Sequence, residues 1–133
     1  MTTLIDKIAW VRVSEGRLLG ARSIGKAIYY IPGGKREPGE TDAEALIREI
    51  EEELTVRIRP ETIRYYGTYE AQADGKPAGV QVRLTCYAAD VEGELQPASE
   101  IEEIVWLTYA DRERVSQASQ LLFDQLKQDG LLL

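Results

Sequence analysis

The sequence contains no histidine and a single cysteine, Cys86. A disulfide framework within the chain is therefore excluded. So is a zinc site built from Cys and His, because the ligands are missing. No histidine-based triad and no histidine general base can be drawn. Proton transfer in any chemistry carried by this chain falls to a carboxylate, a lysine, a tyrosine or Cys86. Positive charge is also in deficit, with a formal net charge of -7. That argues against a nucleic-acid polymer as partner, since non-specific binding depends on Lys and Arg neutralising phosphates. A small anionic substrate is still admissible where divalent cations invert the local field. The opening MTTLIDKIAWV carries Asp6 and no long apolar run. It reads as neither a secretory signal nor a membrane span, so the expectation is a cytoplasmic protein with no membrane partner. The length, 133 residues, is the scale of a single domain, 1–133, able to bury its own core.

What is present alternates between strand and helix patterns. Lys7 to Val13 and Arg17 to Ala21 read as strands around a Glu15-Gly16 turn. Lys26 to Ile31 reads as a third strand, ended by Pro32. After Gly33-Gly34 and the Pro38-Gly39 turn, Thr41 or Asp42 caps a helix, and Glu44 completes a capping box with Thr41. Ala43, Leu46, Ile47, Ile50 and Leu54 recur at helical spacing and mark its buried stripe. Ile63 to Ala73, Val80 to Tyr87 and Glu103 to Leu107 read as further strands, and about Asp111 to Gln128 as an amphipathic second helix. The order, strands–helix–strands–helix, predicts an α/β fold: an α/β/α sandwich on one mixed β-sheet with helices on both faces.

The first helix carries the chemistry. At about 100° per residue, Glu49, Glu52 and Glu53 fall in one sector beside the apolar stripe, with Arg48 at its edge. Three like charges so close must be solvated, paired with Arg48, or bridged by a cation. Hard divalent cations take such oxygen ligands together with waters and substrate phosphates. They would neutralise a phosphoanhydride and activate a water against it. Gly33 and Gly34 permit close backbone approach, and a carbonyl there offers one more hard ligand. The competing reading is a solvated Glu-rich face with an ordinary Arg48–Glu52 pair.

The segment resembles the signature of the Nudix hydrolases (MutT-like). Gly34 takes its first place and Glu40, after five residues, its second. Arg48-Glu49 follow after seven more, then Ile50, Glu51, Glu52-Glu53, Leu54, Thr55 and Val56. Thr55 stands where the family has glycine, a departure that bears on the helix exit more than on the charged positions. The resemblance implies a pyrophosphohydrolase that uses Mg²⁺ or Mn²⁺ held by Glu49, Glu52 and Glu53, with a carbonyl near Gly34 joining them. It implies that Arg48 orients these carboxylates through a salt bridge that includes Glu40, and that Glu52 or Glu53 lies nearest the attacking water. A base outside the box is sometimes used in the family; Glu103 is the first choice here and Glu100 the second.

For the substrate's phosphates, Arg22, Lys35, Arg36 and Arg83 are the candidate cations, drawn from a scattered set that includes Arg12, Arg17 and Lys26. The implied substrate is a nucleoside triphosphate or a nucleoside diphosphate linked to another moiety. Two alternatives stand beside it: ADP-ribose or a nucleotide sugar as substrate, and a non-catalytic nucleotide-binding or sensor domain. A homodimer through tyrosine-bearing strands or the C-terminal leucines is compatible with the sequence.

Overall fold

The computed structural model describes residues 3–133. β1 (Thr3–Val11) is followed by the short β2 (Val13–Ser14) and β3 (Arg17–Ser23). The turn between β2 and β3 places Glu15 at φ 52° and Gly16 at φ 77°, the left-handed pair that suits a tight hairpin. β4 (Gly33–Gly34), α1 (Asp42–Leu54) and β5 (Arg57–Ile58) come next. They are followed by β6 (Arg64–Gln72), β7 (Val80–Ala88), β8 (Val91–Glu92), β9 (Ile101–Leu107) and α2 (Gln117–Gln128).

The principal sheet has the order β4-β1-β7-β6. β1 and β7 are parallel, whereas β4–β1 and β6–β7 are antiparallel, so the sheet is mixed. The single sheet expected from the sequence is instead divided: β2, β3 and β9 form a second, antiparallel sheet, and β5 pairs with β8. The chain leaves the first sheet at Arg12, whose carbonyl accepts from the Leu19 N–H.

Strand alternation sorts the core into two layers. Ile8 and Trp10 of β1 face α1, where they meet Leu46, Ile50 and Leu54. Ala9 and Val11 face the opposite way, onto Leu122, Phe123 and Leu126 of α2. Each of these helix residues is fully buried, which stabilises the fold by about 2 kcal/mol per large apolar side chain. The buried Trp10 indole N–H donates to the Ala89 carbonyl at 3.0 Å, so its polar atom is satisfied. The result is the α/β/α sandwich.

Two boundaries differ from expectation. Lys26 to Ile31 is not a strand; only Tyr29 and Tyr30 find partners, in isolated bridges to Val115 and Ala21. The segment meets β3 only at Ala21 and the chain before α2 only at Val115, so no ladder extends along it. The second helix is also shorter. Tyr109–Arg114 is a 3₁₀ segment, Val115 is extended, and α2 starts afresh after Ser116. Ser116 Oγ accepts the Ser119 N–H, so the better cap lies five residues beyond Asp111. Ser116, Ala118 and Ser119, at this start, line a cleft. Among the described residues, no helix is long and apolar enough to cross a membrane.

Candidate active site

The cleft encloses about 430 Å³. One wall is made by β4 and the last turn of α1. Gly34 pairs with Ile8 and Gly33 with Ala9 of β1. Gly33 has φ 151°, and a Cβ there would stand 2.1 Å from the Ile8 carbonyl oxygen. No L side chain fits. A Cβ on Gly34 would lie 2.6 Å from the Glu49 carboxyl carbon, so the missing side chain is what gives that carboxylate its place.

α1 begins at Thr41 with a complete capping box: Thr41 Oγ1 accepts from Glu44 N, and Glu44 Oε1 accepts from Thr41 N. Its register brings Arg48 over the loop. Arg48 donates twice to Glu40, at 2.7 and 2.9 Å, to Glu49 at 3.0 Å, to Glu52 at 3.4 Å, and to the Lys35 carbonyl at 3.1 Å. Held by this fork and by the Glu37 N–H, the Glu40 carboxyl is drawn down to about 2. The loop and the acidic helix are thus locked to one guanidinium.

Glu53 is the inward carboxylate, only 8% exposed, and it lines the cleft. Its Oε1 accepts from Gly33 N at 3.2 Å. Burial pushes its pKa up to about 8; the Gly33 N–H opposes this, and the charges of Glu49, Glu100 and Glu52 add to it. Glu49 is raised by burial as well, against the pull of Arg48. Glu52 is half exposed at the outer edge, beside Arg48. Among the described residues, no group of three or more Asp, Glu, His or Cys side chains is already gathered as a metal cage.

The residue set nonetheless fits a hard divalent cation. Glu53 is a buried carboxylate with one hydrogen bond, Glu49 stands in the space left by Gly34, and both are destabilised as anions by burial. An oxygen-seeking cation would relieve that cost.

The other candidates are distributed less simply. Arg22 is committed to Glu103 and Glu102, each at 2.9 Å. Arg36 pairs with Asp6 at 3.0 Å and with Asp42, whose other oxygen accepts from Tyr87. It ties the loop to β1 and α1. Arg83 pairs with Glu70 at 3.3 Å, on the face of β7 opposite Val82 and Leu84, which line the cleft. None of these three arginines lines the cleft. Lys35 lends its carbonyl to Arg48, and its charge is felt at Lys7. Glu103 accepts from Tyr29 at 2.6 Å and from Arg22, and both hold its carboxyl below the usual range. Glu100, not Glu103, lines the cleft.

Lys7 was not among the sequence candidates. Its ammonium lies 5.8 Å from the Tyr30 ring centre. Burial, then the Lys35 charge, lowers its pKa, and Glu53 and Glu49 oppose this. Lys26 and Lys76 line the same cleft. The available signal was parity: Lys7 shares the face of Ile5 and Ala9, and a lysine on that apolar side of a strand must face an opening.

The NUDIX domain profile matches residues 6–125, and the chain belongs to that family. Membership supports hydrolysis of a pyrophosphate bond as the general activity. The chain is 30% identical over 108 residues to the CTP pyrophosphohydrolase of Escherichia coli (strain K12), covering 77% of this chain and 75% of that protein. A shorter match, 51% identical over 35 residues, is to the 8-oxo-dGDP phosphatase NUDT18 of Homo sapiens; it spans 26% of this chain and 11% of that protein. Among solved structures, the E. coli ORF135 protein superposes with a TM-score of 0.73 at 25% identity, over 95% of this chain and 92% of that one.

Proposed function

We propose that this protein hydrolyses a phosphoanhydride bond in a nucleoside triphosphate, or in a nucleoside diphosphate linked to another moiety, with Mg²⁺ or Mn²⁺ as cofactor. The observation that carries the reading is Glu53: a buried carboxylate raised to about 8, bonded to Gly33, on the wall of a cleft that also presents Lys7. A structural helix face would leave such a group in water. The relation to a CTP pyrophosphohydrolase across most of both chains supports a triphosphate substrate.

Glu49, Glu52 and Glu53 would hold the cation, with a backbone carbonyl at Gly33 or Gly34. A bound divalent cation supplies charge neutralisation on the anhydride and a water of lowered pKa. Arg48 fixes the direction of Glu49 and Glu52 while Glu40 anchors Arg48 in turn. Lys7 offers positive charge to the phosphate chain. The water oxygen bonds to phosphorus, the bridging P–O bond breaks, and the leaving phosphate carries away the electron pair. The water proton passes to a carboxylate of the cleft lining, Glu53 or Glu100.

The test is incubation with Mg²⁺ and a panel of nucleoside triphosphates, ADP-ribose and nucleotide sugars, with both products identified. Two phosphorylated products, dependent on Mg²⁺, are expected. Nucleotide binding without cleavage would select the sensor reading, and absence of any divalent-cation binding would select a structural Glu-rich helix.

A further inference from the structure

The hairpin between β6 and β7 also lines the cleft and brings in Asp74. Asp74 Oδ2 is buried and has no hydrogen-bond partner. Lys7, Lys26 and Lys76 line the same cleft, yet none of them forms an ion pair with it among the described residues. An ionised carboxylate only accepts hydrogen bonds, and a buried acceptor left unpaired is costly. Ile5, Ala73 and Val82 give the same cleft apolar lining. Close by, Tyr30 is held in its protonated form by burial and by the Asp74 charge, yet it makes no hydrogen bond to Asp74 Oδ2.

This arrangement gives the cleft a direction. Asp74 repels a phosphate, so the anionic part of a ligand lies away from it, and Lys7, which senses the charges of Glu53 and Glu49, offers a cation beside the carboxylate wall. The part that reaches Asp74 must be neutral, compatible with the apolar lining, and rich in N–H donors. We propose that Asp74 is a specificity-determining residue that reads the nucleobase, accepting hydrogen bonds from N–H groups and selecting guanine. Guanine alone among the common bases presents two adjacent donors, N1–H and the 2-amino group, on its pairing edge. Adenine and cytosine set a ring acceptor beside their amino group, and uracil flanks its one N–H with carbonyls. Those acceptors would face the second carboxylate oxygen. The inference rests on the cleft being the substrate site of the proposed hydrolase.

Titration calorimetry of the full chain with GMP, AMP, CMP and UMP, without added metal, tests it. GMP should bind tightest, by about 10-fold or more, the discrimination a buried hydrogen-bonding group supplies. Asp74→Asn places a donor beside an acceptor, so it should weaken GMP by about 10-fold and raise AMP and CMP relative to it. Asp74→Ala should bring GMP down to the level of the other three. Thermal melts equal to wild type show that the variants fold. A wild type that does not rank GMP first, or an Asp74→Asn variant that keeps the wild-type ranking, overturns the proposal. Failure of the hydrolase reading is a separate result, absence of Mg²⁺-dependent cleavage, and leaves the base ranking readable.

Discussion

Glu53→Gln removes a charge from a side chain only 8% exposed and keeps its shape and its acceptor for the Gly33 N–H. The ordinary carboxyl value is 4.5, and in the folded protein it is about 8. Between these two values native Glu53 holds a proton that the unfolded chain has released. Stability is therefore complete below about 4.5, falls as pH rises through the window, and levels off above about 8. The whole loss corresponds to roughly 3–5 kcal/mol. Gln carries no charge in either state and escapes it, less the cost of its amide protons. The metal-free variant should match wild type at pH 5 and exceed it at pH 9 by roughly 2–4 kcal/mol, on the order of 10 °C in Tm. Mg²⁺ should reverse the order: wild type gains stability by mass action, and gains more at high pH because the ligand must be deprotonated, whereas the variant gains less. Thermal melts from pH 5 to 9, in chelator and in Mg²⁺, measure both effects. A variant less stable than wild type by the same amount at every pH would refute the buried-charge argument.

Gly34→Ala drives a methyl group into the Glu49 carboxylate, so Mn²⁺ affinity measured by titration should fall about 10-fold or more, the scale for disturbing a metal ligand's support. Arg48→Lys keeps the charge but loses the paired bonds to Glu40; denaturant melts should show a loss of about 1–3 kcal/mol. Arg36→Ala should lower stability by a similar order through Asp6 and Asp42, yet leave KM for the substrate unchanged, because Arg36 lies outside the cleft. Acidification should loosen the Arg48 fork as pH falls from about 4.5 toward 2, since Glu40 is depressed in the folded state; chemical shifts of the Glu40 carboxyl would follow it.

Local chemistry made α1 legible. The Thr41–Glu44 box, the apolar stripe and the acidic sector all depend on spacing within one helix, and spacing is what a sequence records. Even the helix exit obeys it: Thr55 adopts φ 62°, the left-handed conformation usual for glycine, and its hydroxyl donates to the Glu94 carbonyl at 3.1 Å. The long cations were not legible in the same way. Arg22, Arg36 and Arg83 each met an acid supplied by another element, and a linear sequence does not say which. Parity placed Arg83 and Val82 on opposite faces of one strand, but not which face would open. The Val82 face is the one that lines the cleft, together with Ser116, Ala118 and Ser119 at the start of α2. Lys7 and Glu100 line that cleft, whereas Glu103 is taken up by Tyr29 and Arg22.

The most direct check is the Mg²⁺-dependent turnover of the best nucleotide substrate by wild type, Glu52→Gln and Glu53→Gln, side by side and with folding verified. Each variant should lose most of its turnover while keeping the fold, because each withdraws a carboxylate from the cation site. Wild-type rates in both variants would contradict the assignment of the chemistry to this helix.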